Sequence, residues 1–566
     1  MKKNELDKVI ETMTLEQKIG QMFIANICGG ESIELAKRNF EEFHFGSLQF
    51  SGVFERFVRG GNYLSCGICE NKPLDEVAKF LAEIKQASLD IVGLPVILGG
   101  DQEGGISSSI FRRRNITLMP SQMGLGASVN LEDTYDAATI TAKESKILGL
   151  DMLYGPSLDI NTNPLNPEIG IRSFSEDPEL VAAHGIQVIK AYSEQNIIST
   201  AKHFPGRGHG QSNAHHELES IALDIKRLES VELFPFIQAI EFGVDSIMMA
   251  HTLFPALEKD RLPASLSPRI IRFLREDLGF NGVIIPDTLT MFAISRNFEV
   301  PQACVMCLEA GADMIFMKVQ DFYRPVVEEI KKSIKAGRLT EERLNKSVKR
   351  ILELKLKRGL FKKPNFSKLE VLSHVGCPEN VKTMQDIGRR SVIVLKNEDH
   401  LLPLSQKDNG YIFSIVPRDS NIVLSNDSEL SHDLLPNSLK RYTNKVHYTV
   451  VDELPTEIQS YETVGLAKNH DLIIFGIYSA GASEDQLKLL DSLIELGKPV
   501  IVVLTGSPYQ IAELPKEVKA IICTFGMAPC TFDAVAEILF DKLLPTATLP
   551  VTINESIPKG FSVTVL

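Results

Sequence analysis

Asp287 closes the short apolar run Gly282-Val283-Ile284-Ile285-Pro286 and opens the turn Thr288-Leu289-Thr290-Met291. A β-branched run that stops at a carboxylate reads as a buried parallel strand carrying a charge to its C-terminal rim. The arrangement recurs. Leu98-Gly99-Gly100 leads to Asp101, the run 154–158 to Asp159, the run 199–201 to Lys202-His203, and the run 247–250 to His251. Carboxylates, imidazoles and an amine on one rim are the groups of nucleophilic and acid–base chemistry. The densest cluster is Lys202-His203-Phe204-Pro205-Gly206-Arg207-Gly208-His209-Gly210, followed by Gln211 to Ala214 and by His215-His216-Glu217. Its glycines let the backbone turn sharply, and Pro205 fixes a bend that a cis peptide would suit. Four histidines, a lysine and an arginine within fifteen residues exceed what packing requires. The plain alternative is a solvated basic loop, which a place on an active-site rim disfavours.

Eight candidate strands lie near residues 22–27, 45–50, 95–100, 152–158, 197–201, 245–250, 282–286 and 313–317. Between most of them, stretches such as 81–91, 135–147, 178–195, 228–242, 268–278 and 301–310 place apolar residues at helical spacing. Alternating strand and helix implies a parallel sheet, and eight repeats imply closure into a (β/α)8 barrel with its active site at the C-terminal strand ends. The irregular, Gly-rich insertion at 52–73 is expected to be an active-site loop. A long helical stretch, 326–358, gives way to 359–366 with Lys362-Lys363-Pro364. A second alternation starts near Ile387, with strands at 391–395, 411–416, 471–477, 499–505 and 518–524 and helices at 485–496 and 532–540. Five strands cannot close a barrel, so this half reads as an open sheet with helices on both faces. The fold class is therefore α/β: a TIM-like (β/α)8 barrel over 1–362, a linker over 363–386 and an αβα sandwich over 387–566.

Two domains suit 566 residues, and 44% hydrophobic with 23% charged residues is ordinary for a globular protein. A net charge of -13 argues against nucleic acid or an anionic membrane as the main partner, but says little about a small ligand. The start Met1-Lys2-Lys3-Asn4-Glu5-Leu6 offers no secretory apolar region, and no window approaches the roughly 18 apolar residues of a membrane span, so a cytoplasmic address is expected. Cys66/Cys69 and Cys304/Cys307 have the C-x-x-C spacing of zinc ligands. The second pair falls in an expected helix, where cysteines are core filler, so neither a metal nor another cofactor is expected. The sequence sets no oligomeric state.

The motifs resemble those of glycoside hydrolase family 3, and more narrowly its β-N-acetylglucosaminidase branch. Lys202 to Gly206 resembles the family's KHFPG signature, which in that branch continues as KHFPGHG and then D-x-x-x-D-S-H. Asp101-Gln102-Glu103-Gly104-Gly105 is similar to its DQEGG, and Met119-Pro120-Ser121 with Leu125-Gly126-Ala127 to its PS…LGA segment. Gly155-Pro156 to Asp159, then Ile171-Arg172-Ser173-Phe174, resemble APxxD…IGxRSF. Pro263-Ala264-Ser265-Leu266-Ser267, Gly279-Phe280, Gly311-Ala312-Asp313-Met314 and, in the second half, Lys396-Asn397, Pro403-Leu404 and Leu549-Pro550-Val551 follow in the family's order.

The resemblance implies a retaining glycosidase acting on a small glycan. Asp287 matches the family nucleophile, the alternative for it being a strand-end or helix N-cap role. Aligned without gaps from Lys202, the family's acid/base histidine falls on His215, with His216 the adjacent competitor. Asp101, Arg172, Lys202, His203 and Arg207 are the implied substrate-binding residues, with Asp159 and His251 as further rim candidates that could instead satisfy buried backbone. Without Trp, sugar stacking would fall to Phe or Tyr, and Met249 and Met317 read as packing. The chain also departs from the branch. Asn213 stands where an aspartate charges the histidine, Ala214 replaces a serine, Arg207 a histidine and His209 an aspartate, while Ile106-Ser107-Ser108-Ser109 follows Gly105 in place of V-x-R. These changes weaken the donor, with recruitment of Glu217 or Glu219 as the alternative. Three activities follow as expectations: release of terminal β-linked N-acetylglucosamine from small glycans or cell-wall fragments, phosphorolysis assisted by Arg207 and His209, or sugar binding by a catalytically weakened relative.

Overall fold

Eight parallel strands follow one another in chain order around the first half of the molecule: β1 (Phe23–Cys28), β2 (Ser47–Ser51), β3 (Ile97–Gly100), β4 (Met152–Leu153), β5 (Ile198–Phe204), β6 (Ser246–Met249), β7 (Val283–Pro286) and β8 (Ile315–Met317). This computed structural model describes residues 5–28, 32–51, 54–58, 62–66, 72–105, 116–404, 410–417, 433–452, 454–477, 483–540 and 543–563. β1 pairs with β2 on one side and β8 on the other. The seam between β7 and β8 is bridged by Asp313 N–H donating to the Ile284 carbonyl (2.8 Å) and Leu289 N–H to the Phe316 carbonyl (3.0 Å), so the ring closes as expected of a TIM-like barrel. β3 to β8 are buried along their whole length, which is why they read as unbroken apolar runs rather than alternating ones.

Two strands differ from expectation, both at the rim. β4 ends at Leu153 because Pro156 has no N–H to continue the ladder, and the chain runs on to Asp159 as loop. β5 runs three residues further than expected and carries Lys202-His203 within it, with a register shift against β6 between Lys202 and Phe204. Such irregularities re-aim side chains beside active sites. The peptides Gly155-Pro156, Lys202-His203 and Phe204-Pro205 are cis. The expected 326–358 helix is two helices, Tyr323–Lys335 and Glu341–Lys357; Gly337 in the left-handed region (φ 76°) ends the first, and the Thr340 side chain caps the second by accepting from Arg343 N–H.

The chain divides into two compact units. The first holds Met1–Gln102, Ala138–Asn166 and Gly185–Val375; the second holds Glu103–Ala137, Pro167–His184 and Gly376–Leu566. Two segments of the second unit thus fall within the 1–362 stretch read as barrel, and the 363–386 stretch read as linker holds the helix Lys368–His374 and the start of the helix Pro378–Ser391. The second unit's sheet has six strands, β9 (Ile393–Asn397), β10 (Ile412–Pro417), β11 (Val446–Val451), β12 (Leu472–Ile477), β13 (Val500–Leu504) and β14 (Ala520–Cys523), in the order β9-β14-β13-β12-β10-β11. All pairs are parallel except β9 with β14. Val500, Val502 and Leu504 join one core with Leu489 and Leu493, while Ile501 and Val503 join another with Val535 and Leu539, so helices cover both faces. β11, the strand absent from the sequence reading, is an edge strand whose exposed His447 and Tyr448 break up its apolar signal.

The insertion at 52–73 contains an antiparallel ribbon, Phe54–Val58 with Asn62–Cys66. Cys69 and Ile106 to Ser109 lie outside the described residues. Cys304 and Cys307 are buried on the helix Val300–Ala310, and burial raises both thiols. Among the described residues no helix is long and apolar enough to cross a membrane.

Candidate active site

Asp287 stands at the C-terminal end of β7, its N–H donating to the Met249 carbonyl of β6 at 3.0 Å. The Thr288 N–H donates to Oδ1 at 2.7 Å, and Oδ2 lies 3.9 Å from Nε2 of His203. The side chain is 16% exposed, open on one side to a reactant. Burial by itself would raise this carboxyl, but the imidazoles of His203, His251 and His215 and the Thr288 N–H outweigh it and hold the group well below the usual carboxylate range. It is ionised at neutral pH, as a nucleophile must be.

The Lys202-His203 pair is fixed from below. Lys202, buried in β5, reaches Asp101 at the end of β3 with Nζ 3.1 Å from Oδ1, and Gln49 Nε2 of β2 approaches Oδ2 of the same aspartate at 3.4 Å. Asp159 is fully buried and accepts from the His203 N–H (3.2 Å), the Arg207 N–H (2.8 Å), the Ser157 hydroxyl (3.1 Å) and the His203 ring at Nδ1 (2.7 Å). An ionised carboxylate only accepts, so Nδ1 carries a proton and Nε2 is the atom turned toward Asp287. Burial opposes the Asp159 charge, but His203 and the hydrogen bonds prevail and lower its pKa. Arg207 is only 1% exposed, and its charge acts on both Asp159 and His251. Asp159 therefore does what a rim loop needs: it holds that loop's backbone and one of its rings.

Sequence reasoning missed the outer support of this loop. Asn166 Nδ2 donates to the carbonyls of Arg207 (3.0 Å) and Gly208 (3.2 Å), and Asn163 Nδ2 to those of His209 (3.3 Å) and Gly210 (2.8 Å). His209 Nδ1 meets the Thr162 hydroxyl at 2.9 Å. The two loops touch so closely that a Cβ on Gly208 would sit 1.8 Å from the Ile160 carbonyl oxygen, which only glycine avoids. The run Asn161-Thr162-Asn163-Pro164-Leu165-Asn166, polar and turn-forming directly after a strand-end aspartate, was the available signal.

His215 lies on the turn that follows. It is half-buried, and it is one of the three imidazoles acting on Asp287. The Asn213 side-chain oxygen accepts from the His215 backbone N–H at 2.8 Å, and the Asn213 carbonyl accepts from the N–H groups of His216 and Glu217. Asn213 thus organises the turn through backbone. The turn is pinned to the segment beyond Asp287 by Ala293 N–H donating to the Ala214 carbonyl (3.1 Å) and by Arg296 donating to the His216 carbonyl (3.0 Å). His216 and Glu217 are exposed. Glu219 accepts from the N–H groups of Gln211 and Ser212, closing the same loop.

His251 is wholly buried, with Nδ1 2.8 Å from the Ser265 hydroxyl and Nε2 3.0 Å from the Thr288 carbonyl. Met249 and Met317 are buried as packing residues. Arg172 belongs to the second unit, where its guanidinium forms a two-pronged pair with Glu103 (2.8 and 3.0 Å) and donates to the Glu168 carbonyl (3.3 Å). The first unit thus brings together Asp101, Lys202, His203, Arg207, His215 and Asp287. Among the described residues no group of three or more His, Cys, Asp or Glu side chains is placed to hold a metal ion.

An ionised carboxylate among imidazoles, at the C-terminal end of a closed barrel, is equipped for nucleophilic attack with proton transfer. Residues 14–354 match the glycosyl hydrolase family 3 N terminal domain and residues 392–561 the family's C-terminal domain. The chain is 26% identical over 511 residues to beta-hexosaminidase A of Pseudoalteromonas piscicida, covering 81% of this chain and 84% of that one. It is 24% identical over 487 residues to a beta-N-acetylglucosaminidase/beta-glucosidase of Cellulomonas fimi, with the same coverage of 81% and 84%. A glycoside hydrolase family 3 beta-N-acetylglucosaminidase from Paenibacillus sp. str. FPU-7 superposes with a TM-score of 0.87 at 30% identity, over 96% of this chain and 99% of its own. With both domains matched in order, the chain is a glycosidase and belongs to glycosyl hydrolase family 3.

Proposed function

We propose that this glycosidase is a retaining β-N-acetylhexosaminidase that releases terminal β-linked N-acetylglucosamine from small glycans or cell-wall fragments. The observation that carries the reading is the Asp287 carboxylate, ionised against its burial and open toward His203 Nε2. In the first step Asp287 Oδ2 attacks the anomeric carbon while His215 protonates the departing oxygen; in the second, His215 takes a proton from water as that water displaces Asp287. The Lys202–Asp101 pair and the His203 Nε2 edge offer donors and an acceptor for sugar hydroxyls and for the 2-acetamido group. Arg207 supplies positive charge beneath the rim, and Arg172 keeps its sugar-binding role on the resemblance of its motif alone. The relatives' names support the sugar: two carry hexosaminidase or N-acetylglucosaminidase activity in them, as does the superposed structure.

The test is a side-by-side assay of aryl N-acetylglucosaminide, N-acetylgalactosaminide and glucoside, each with and without inorganic phosphate. The proposal expects the N-acetylglucosaminide to be cleaved fastest, with water sufficient as acceptor. Turnover that requires phosphate would make the protein a phosphorylase, and a faster glucoside would overturn the sugar assignment. Sugar binding without turnover of any substrate would leave a binding protein on a glycosidase fold.

A further inference from the structure

Three residues beneath Asp287, drawn from three separate stretches of sequence, form a chain of hydrogen bonds that ends on it. His251 follows β6, Ser265 lies in the turn Ala264–Leu266, and Thr288 follows β7. The Thr288 carbonyl only accepts, so the His251 nitrogen 3.0 Å from it, Nε2, carries the hydrogen. Nδ1 is then the acceptor, and the Ser265 hydroxyl, 2.8 Å away, donates to it. Ser265 is itself seated, its N–H donating to the Ala250 carbonyl at 3.1 Å. Burial pushes His251 down to about 4, which keeps this neutral tautomer at neutral pH.

The far end of the chain is the nucleophile. The Thr288 carbonyl accepts from the Met291 N–H at 3.0 Å as well as from His251, so both its lone pairs are engaged. The N–H of the same residue donates to Asp287 Oδ1 at 2.7 Å. Both ends of Thr288 are thus fixed, and Oδ1 is occupied. That leaves Oδ2, on the side of His203 Nε2, as the oxygen free to attack. We propose that His251, held in one tautomer by Ser265, is a positioning residue that clamps Thr288 at its carbonyl, so fixing the residue whose N–H holds Oδ1, and thereby selects Oδ2 of Asp287 for attack. This gives a task to Ser265 of the Pro263-Ala264-Ser265-Leu266-Ser267 stretch, distinct from that of Ser267, whose hydroxyl accepts from Ile270 N–H and donates to Glu258 at 2.6 Å. The inference rests on the reading of Asp287 as nucleophile.

Three variants of the full-length protein test it: His251→Gln, His251→Asn and Ser265→Ala. A glutamine amide reaches the position of Nε2 and can still donate to the Thr288 carbonyl, whereas an asparagine amide mimics Nδ1 and cannot. Active sites are counted by trapping with a fluorinated, activated N-acetylglucosaminide, the labelled peptide is mapped, and turnover is expressed per titrated site. The clamp predicts that His251→Asn lowers the per-site rate about 10²-fold, as small misplacements of reacting atoms do. His251→Gln should recover to within about fivefold of the parent, and Ser265→Ala should lose about fivefold, the worth of a single hydrogen bond. A merely structural role would reduce the number of titratable sites and leave each remaining site at the parent rate. That result, or Asn performing as well as Gln, overturns the inference while the label still maps to Asp287. A label found elsewhere overturns the Asp287 assignment and this inference with it.

Discussion

Asp151, Asp245 and Asp313 precede β4, β6 and β8 at the N-terminal end of the barrel, while Asp101, Asp159 and Asp287 follow β3, β4 and β7 at the other. The first three share one device. Each accepts from an N–H of the neighbouring odd-numbered strand (Leu98 at 3.2 Å, Ser199 at 3.3 Å, Ile284 at 2.9 Å) and each is paired with two cations. Asp151 has Lys85 and Lys146, Asp245 has Lys357 and Arg358, and Asp313 has Arg275 and Arg350. The rim carboxylates face imidazoles, one lysine and, at Asp159, the charge of Arg207, and Asp101 and Asp287 keep 29% and 16% of their side chains open. A carboxylate neutralised by two cations is finished structure; one held ionised by imidazoles, with an oxygen left over, can still react. Identity of residue and strand-end position are shared, so the partners decide which is which.

Breaking the comparison at the rim should give the largest effect. Asp287→Asn should lower turnover by roughly 10⁴-fold or more, as loss of a residue acting as nucleophile does, with the thermal midpoint unchanged. His215→Ala should cost about 10²–10⁴ in kcat/KM on substrates with poor leaving groups and little in kcat/KM on activated aryl glycosides, whose departing oxygen needs no proton. His216→Ala should leave both rates unchanged, which sharpens the choice between adjacent histidines. At the other end, Asp313→Ala strands Arg275 and Arg350 and should cost about 3–5 kcal/mol in denaturant unfolding, while turnover per titrated site stays at the parent value. Acid gives the smallest effect. Because burial depresses His251 from 6.5 to about 4, the folded state takes up its proton later than the unfolded chain does. The stability this residue lends is complete above pH 6.5 and is lost as pH falls toward 4, by about 3 kcal/mol in all. Unfolding midpoints measured from pH 7 to 4 should fall less steeply in His251→Gln.

The barrel and its rim were legible for a physical reason. Strands buried on both faces are continuous apolar runs, so a polar residue ending each run marks the rim by contrast, as at Gly100-Asp101 and Pro286-Asp287. Asp101, Lys202, His203 and Asp287 meet in the first unit on that basis, while Arg207 and His215 came from the motif resemblance. What was not legible depends on partners distant in sequence. The carboxamides of Asn163 and Asn166 bond carbonyls more than forty residues away, and Ser265 meets His251 across a turn; neither leaves a periodicity. Asn213 could be read as a substitution, but not that its oxygen would go to the His215 backbone. The composition of the second unit, with Glu103–Ala137 and Pro167–His184 joined to Gly376–Leu566, is likewise a matter of long-range contact.

Mapping the covalent intermediate tests the central claim most directly. After incubation with a fluorinated activated N-acetylglucosaminide, proteolysis and mass spectrometry should find the sugar on the peptide that contains Asp287, and Asp287→Asn should remain unlabelled. A sugar adduct on any other peptide of an active preparation would contradict the account.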